Sequence, residues 1–284
     1  MLRMVVAAGM ALGLVSVSLQ MASAEPIRLT RITHIYGISA DATDPAKVYL
    51  ATERGYYVAG INGMADLLSA DESPVLGFAP APKSGGAIYS TGAEHQGIRV
   101  SIDNAKTWIA VGKPTAATPG PFLALDVSPA NPKYLYGTAG MEVFRTQDGG
   151  VTWQGQSPAP GTPIDVAASV KDANTVFLAT AKGLFGSKDG GKTWADAIST
   201  EIGKATTMVA ATPDGSTYAF VAGVGLMKSA DGVKWDTVAP ANAFDGALLH
   251  FAVSSANGQL YAVTQFMKII ASTDGGKTWA AFAR

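Results

Sequence analysis

Ser187-Lys188-Asp189-Gly190-Gly191-Lys192-Thr193-Trp194 decides the fold, because this stretch returns four more times along the chain. The other copies run from Ser101 through Asp103 to Trp108, from Thr146 through Asp148 to Trp153, and from Ser272 through Asp274 to Trp279. A copy one residue shorter runs from Ser229 through Asp231 to Trp235. All five tryptophans of the 284-residue chain lie in this motif, at intervals of 41 to 45 positions. A period of that size marks a repeat architecture. In each copy the aspartate can accept backbone N–H groups across a tight turn, and glycine takes positive φ without a steric penalty. Serine or threonine at either end can bond across the hairpin mouth, and the tryptophan ring is free to bury itself between strands. A calcium loop would need several alternating carboxylates and a glutamate, which these segments lack. The motif therefore reads as a device that stabilises the fold.

A second signature precedes each copy. It reads Val48-Tyr49-Leu50-Ala51-Thr52, Ile88-Tyr89-Ser90-Thr91, Leu135-Tyr136-Gly137-Thr138, Val176-Phe177-Leu178-Ala179-Thr180, Thr217-Tyr218-Ala219 and Leu260-Tyr261-Ala262-Val263-Thr264. That makes six units; in the first, Asn62-Gly63 takes the place of the tryptophan motif as a hairpin turn. In the third unit a strand at 122–127, a Ser-Pro-Ala-Asn-Pro turn, and strands at 134–138, 142–146 and from 152 fill one period. Four short strands in each of six units predict an all-β fold, a six-bladed β-propeller of four-stranded antiparallel blades joined by the aspartate turns. A strand from Trp279 to Ala283 can complete blade six, and residues 26–32 could still add to that same edge; the sequence leaves the mode of closure open.

The aspartate motifs resemble the Asp boxes of the BNR-repeat, sialidase-like propellers, and the units resemble exported bacterial glycosyl-hydrolase-like BNR proteins and Ycf48-type photosystem II assembly factors. Some bacterial relatives open the first blade with His-Ile-His-Gly, where this chain has His34-Ile35-Tyr36-Gly37. The resemblance implies that Asp103, Trp108, Asp148, Trp153, Asp189, Trp194, Asp231, Trp235, Asp274 and Trp279 are structural, and that any site lies on the opposite face. It implies an architecture rather than an activity, because enzymes, receptors and assembly factors share it.

Residues 1–24 carry Arg3, an apolar run and Ala22-Ser23-Ala24, the pattern of a cleaved secretion signal. The expected mature protein is one domain, 25–284, in the periplasm or outside the cell, with no membrane insertion after cleavage. The chain has 48% hydrophobic and 15% charged residues and a net charge of −1, with no basic footprint for nucleic acid. The absence of cysteine excludes disulfides and thiolate chemistry.

On the face implied by the resemblance, the entries to first strands and the turns between second and third strands carry His34, Glu53, Arg54, Glu94, His95, Asp165, Lys182 and His250, with Gln265 and Met267. The leading reading is a non-catalytic scaffold that presents a shallow recognition face formed by His34, Arg54, Glu94, His95, Lys182 and His250 to a protein or glycan, with no cofactor. The alternative is a glycoside hydrolase, whose paired carboxyls would come from Glu53, Glu94 and Asp165. A third reading has His34, His95 and His250 converge on a metal. A sialidase would need three arginines about a substrate carboxylate, a tyrosine nucleophile and a Phe-Arg-Ile-Pro element. That element is absent, so sialidase activity is not expected.

Overall fold

The computed structural model describes residues 25–69, 75–79, 87–92, 98–111 and 121–283. The expected secretion signal, together with Glu94 and His95, lies outside the described residues. Short runs of β-branched and aromatic residues separated by glycine turns fold into six antiparallel sheets, with only three 3-10 turns among the described residues. Blade one holds Ile35–Ala40, Lys47–Thr52, Gly55–Gly60 and Met64–Leu67; blade two holds Val75–Ala79, Ile88–Gly92, Ile98–Ser101 and Ile109–Val111. Ala124–Val127, Leu135–Ala139, Glu142–Thr146 and Gln154–Pro158 make blade three; Pro163–Ala168, Val176–Thr180, Gly183–Ser187 and Ala195–Asp196 make blade four. Blade five is Thr206–Ala211, Thr217–Val221, Gly225–Ser229 and Asp236–Pro240, and blade six is Leu248–Val253, Leu260–Thr264, Ile269–Ser272 and Ala280–Ala281. The first strand of each blade packs against the first strand of the next, and that of blade six against that of blade one, so six inner strands enclose a channel.

Blade six supplies all four of its own strands, and Ile27–Arg28 pairs with Met64 and Ala65 as a fifth strand on the outer edge of blade one. Among the described residues no strand is shared across the closure, and side chains hold it. Ile32, Ile35, Ile38 and Leu50 of blade one form one core with Tyr261, Val263, Ile269 and Phe282 of blade six. The Tyr261 hydroxyl donates to the Pro45 carbonyl at 2.7 Å, and its ring meets Phe282 edge to face. The same second-strand tyrosine joins other blades: Tyr136 donates to the Ala173 carbonyl and Tyr218 to the Gly275 carbonyl. This blade-to-blade reach explains why an aromatic recurs in the strand signature.

Each aspartate turn closes as its chemistry requires. In the fourth blade Ser187 Oγ and the Thr193 N–H donate to Asp189 Oδ1 at 2.8 and 2.9 Å, and the Thr193 hydroxyl donates to Oδ2 at 2.7 Å. These donors pull the aspartates down, Asp103 and Asp274 to about 2 by the threonine hydroxyls of their own turns. Gly190 and Gly191 sit at φ +79° and +90°, a pair repeated at Gly149 and Gly150 and at Gly275 and Gly276. In blade two the corresponding residues are Asn104 and Ala105, at φ +60° and +65°. A Cβ in the left-handed region costs roughly 1–2 kcal/mol. Ala105→Gly is therefore expected to stabilise the protein by up to about 1 kcal/mol despite glycine's greater freedom when unfolded, read as a rise in the denaturant midpoint.

The tryptophans pack as large apolar plates. Trp108 stacks on Tyr56 of blade one at 4.4 Å, and Trp153 packs on Phe122 at 4.5 Å. The third-strand arginine of blade three is likewise structural: Arg145 is buried, donates to Asn174 of blade four and lies over Tyr134. It does not reach the face opposite the aspartate turns.

Candidate functional site

Antiparallel succession puts the aspartate turns at one end of the blades, and the second-to-third turns and inner-strand entries at the other. At this second end five inner strands carry a bulge at their second residue, between Ile35 and Gly37, Val75 and Gly77, Pro163 and Asp165, Thr206 and Met208, and Leu248 and His250. A bulge adds an unpaired residue and re-aims its side chain. The residues so placed are Tyr36, Leu76, Ile164, Thr207 and Leu249, and Leu123 holds the corresponding place in blade three. The rim of the channel is thus mostly apolar. Leu123 is 60% and Ile164 40% exposed. Met141, Ile202 and Phe266, from loops of blade three, between blades four and five, and of blade six, are also exposed on this end.

The loops stay short. Residues 53–54, 140–141, 181–182, 222–224 and 265–268 make the described second-to-third turns of blades one, three, four, five and six. Thr52 and Thr180 lock two of them by donating to the carbonyls of Gly55 and Gly183. Thr91 at the same end of its strand instead donates to the Phe122 carbonyl of the next blade. No long insertion walls a cleft over the described part of this face.

The expected site residues are dispersed. His34 is exposed, its Nδ1 3.2 Å from the Thr33 hydroxyl and its ring stacked with Tyr36. Arg54 and Lys182 are exposed on turns of blades one and four, on opposite sides of the ring. Glu53 works locally: Oε1 accepts from the Thr33 N–H and hydroxyl, and Oε2 from the His34 N–H. Those bonds outweigh its burial and hold it below the usual glutamate range. His250 turns into the channel, where burial pushes its imidazole down to about 4 although it bonds to the backbone of Ile35. Among the described residues, no group of three or more histidines, aspartates and glutamates is placed to hold a metal.

The channel interior holds two of the expected residues, Asp165 and His250, beside one the sequence reading passed over, Asp126. A cavity of about 200 Å³ runs along the inner strands, lined mainly by aliphatic side chains and backbone. Its titratable side chains are Tyr36, Asp126, Asp165 and His250. Asp126 Oδ2 accepts from the Ala168 N–H of blade four at 2.8 Å. Asp165 Oδ1 accepts from the Val166 N–H at 2.9 Å, and its Oδ2 from the Val209 N–H of blade five at 3.0 Å. Each carboxylate therefore caps the free edge of the next inner strand. Burial pushes both up to about 7 against these bonds, and the Asp126 charge adds to the rise at Asp165. Both keep partial exposure to the channel. The signal for Asp126 was an aspartate between aliphatic neighbours, Leu125-Asp126-Val127, matched by Ile164-Asp165-Val166 in the next blade.

No protein-family model and no curated protein sequence matches the chain. Solved structures do. YCF48 bound to D1 peptide is 17% identical, with a TM-score of 0.57 over 90% of this chain and 84% of that one. The GH74 enzyme of Niastella koreensis is 17% identical, with a TM-score of 0.61 over 88% of this chain and 37% of the enzyme. Virginiamycin B lyase from Staphylococcus aureus is 13% identical, with a TM-score of 0.59 over 92% of this chain and 88% of that one. At these identities the likeness is one of fold. The chain spans less than half of the GH74 enzyme, and a protein bound to a peptide and two kinds of enzyme share its architecture.

Proposed function

We propose that the protein is an exported, non-catalytic propeller of the Asp-box type that holds an extended protein segment across the face opposite the aspartate turns. One observation carries this reading: Leu123, Met141, Ile164, Ile202 and Phe266, all apolar and 40% exposed or more, lie at that end on inner-strand entries and on the loops beside them. Exposed apolar side chains on short loops suit a partner surface better than a deep pocket. The peptide bound to YCF48 on a similar ring supports the same use. Secretion to the periplasm or beyond rests on the signal pattern of residues 1–24.

A selection of random displayed 12-residue peptides on the purified protein tests this reading. Peptides that bind are expected to lose affinity at least tenfold against the Ile164→Ser, Phe266→Ser variant and to be unaffected by Val151→Ser on an aspartate turn. Failure to select any peptide, or equal binding to all three proteins, would remove the proposal.

Glycoside hydrolysis stands second, supported by the GH74 likeness and by two carboxyls near neutrality in the channel. Asp126 and Asp165 stand inside the channel and accept from the next inner strands, however, and Glu53 sits across the ring from Asp165 with both oxygens taken.

A further inference from the structure

We propose that the segment held on this face carries a basic side chain, a lysine or arginine, that enters the channel mouth toward Asp165 and Asp126 while its apolar neighbours cover Leu123, Ile164 and Phe266. This deepens the binding-face reading and rests on it. The starting observation is a charge imbalance. Two carboxylates stand on consecutive inner strands, and the hydrogen bonds they accept come from backbone N–H groups. Among the described residues neither forms an ion pair, and the lining of the channel contains no lysine or arginine. The remaining ionisable neighbour that could carry positive charge, His250, is held neutral by its own burial.

An enclosed carboxylate without a counter-charge is costly, and a sequence that keeps two of them in an aliphatic tube gives up stability there. A cation from outside removes that cost when it binds. The shape of the site selects which kind. The walls alternate aliphatic side chains with backbone; the aliphatic part suits the methylene stem of a lysine or arginine, and the carboxylates meet the charged end. The rim is apolar, so residues beside the cation in the partner find Leu123 and Ile164 rather than charge. A free metal ion fits the arrangement less well, because no third ligating side chain joins the two aspartates among the described residues.

The test separates this proposal from the reading beneath it. Peptides selected on the protein are expected to share one lysine or arginine flanked by apolar residues. For one such peptide, calorimetry at pH 8 compares lysine with norleucine, which keeps the stem and removes the charge, on the unaltered protein. The lysine form is expected to bind at least tenfold tighter, and its advantage to shrink between pH 8 and pH 6 as Asp126 and Asp165 take up protons. In the Asp126→Asn, Asp165→Asn variant, with its fold checked by circular dichroism, the two peptides are expected to bind within about twofold of each other. Selected peptides without a shared basic residue, or equal binding of lysine and norleucine forms, would overturn the proposal and leave the binding face standing. If nothing is selected, the binding face itself falls, and the proposal with it.

Discussion

The Asp126→Asn, Asp165→Asn variant is expected to be more stable than the parent at pH 8 and no more stable near pH 4; the gain is on the order of 4 kcal/mol, about half of what two full shifts would give, because both groups keep partial exposure to the channel. Burial raises both carboxyls from 3.8 to about 7 in the folded chain. Between these values the native state holds protons that the unfolded chain has released. Stability contributed by these groups is therefore present in full below about pH 4, falls as pH rises through 7, and is level above. Asparagine keeps an oxygen to accept from the Ala168 and Val209 N–H groups, gives up the second acceptor that Asp165 offers the Val166 N–H, and carries no charge. His250 works in the opposite sense. Its folded value of about 4 against 6.5 makes the unfolded chain the stronger proton binder, so its contribution rises with pH over that window in parent and variant alike. Denaturant unfolding at pH 4, 6 and 8 reads the difference, and an equal midpoint for the two proteins at pH 8 would show that the carboxylates are not strained by burial. A variant that gains stability while losing preference for a cation would place these residues among those a protein retains for use rather than for folding.

Closure of the ring gives the second large effect. Tyr261→Ala is expected to cost about 3–5 kcal/mol, because the side chain is fully buried in the core that joins blades six and one. Tyr261→Phe removes only the bond to the Pro45 carbonyl and is expected to cost about 1 kcal/mol. In a ring closed by a shared strand the chain would hold the seam whatever the side chain; here Ile27–Arg28 stays on blade one and cannot do so. Removal of residues 25–28 is accordingly expected to cost less than Tyr261→Ala in the same assay. The reverse order would mean that the N-terminal strand, rather than the side chains, secures the ring.

The fold was legible because its devices repeat. Asp189 and its four counterparts mark a hairpin each time, and the Val-Tyr-Leu-Ala-Thr strand marks the strand before it, so both count and strand order follow. What did not repeat was hidden. A two-residue strand such as Ile27–Arg28 carries no pattern that names its partner, and blade six already had a full complement. The channel was hidden for a different reason: the bulges. A one-residue shift turns every following side chain to the other face of a strand. His34 lies before the bulge of blade one and remains outside, whereas His250 follows the bulge of blade six and faces inward. Sequence position places them on one end of the molecule and says nothing of this separation. Asp126 escaped notice because a single aspartate in a strand resembles an ordinary solvent-facing residue until the neighbouring inner strand supplies its partner, Ala168.

Amide hydrogen exchange with and without a selected peptide tests the binding face most directly. The account predicts added protection at the turns around Met141, Ile202 and Phe266 and at the inner-strand entries around Leu123 and Ile164, with the aspartate turns around Asp148, Asp189 and Asp274 unchanged. Protection confined to the aspartate turns, or to the outer strands of the blades, would contradict it.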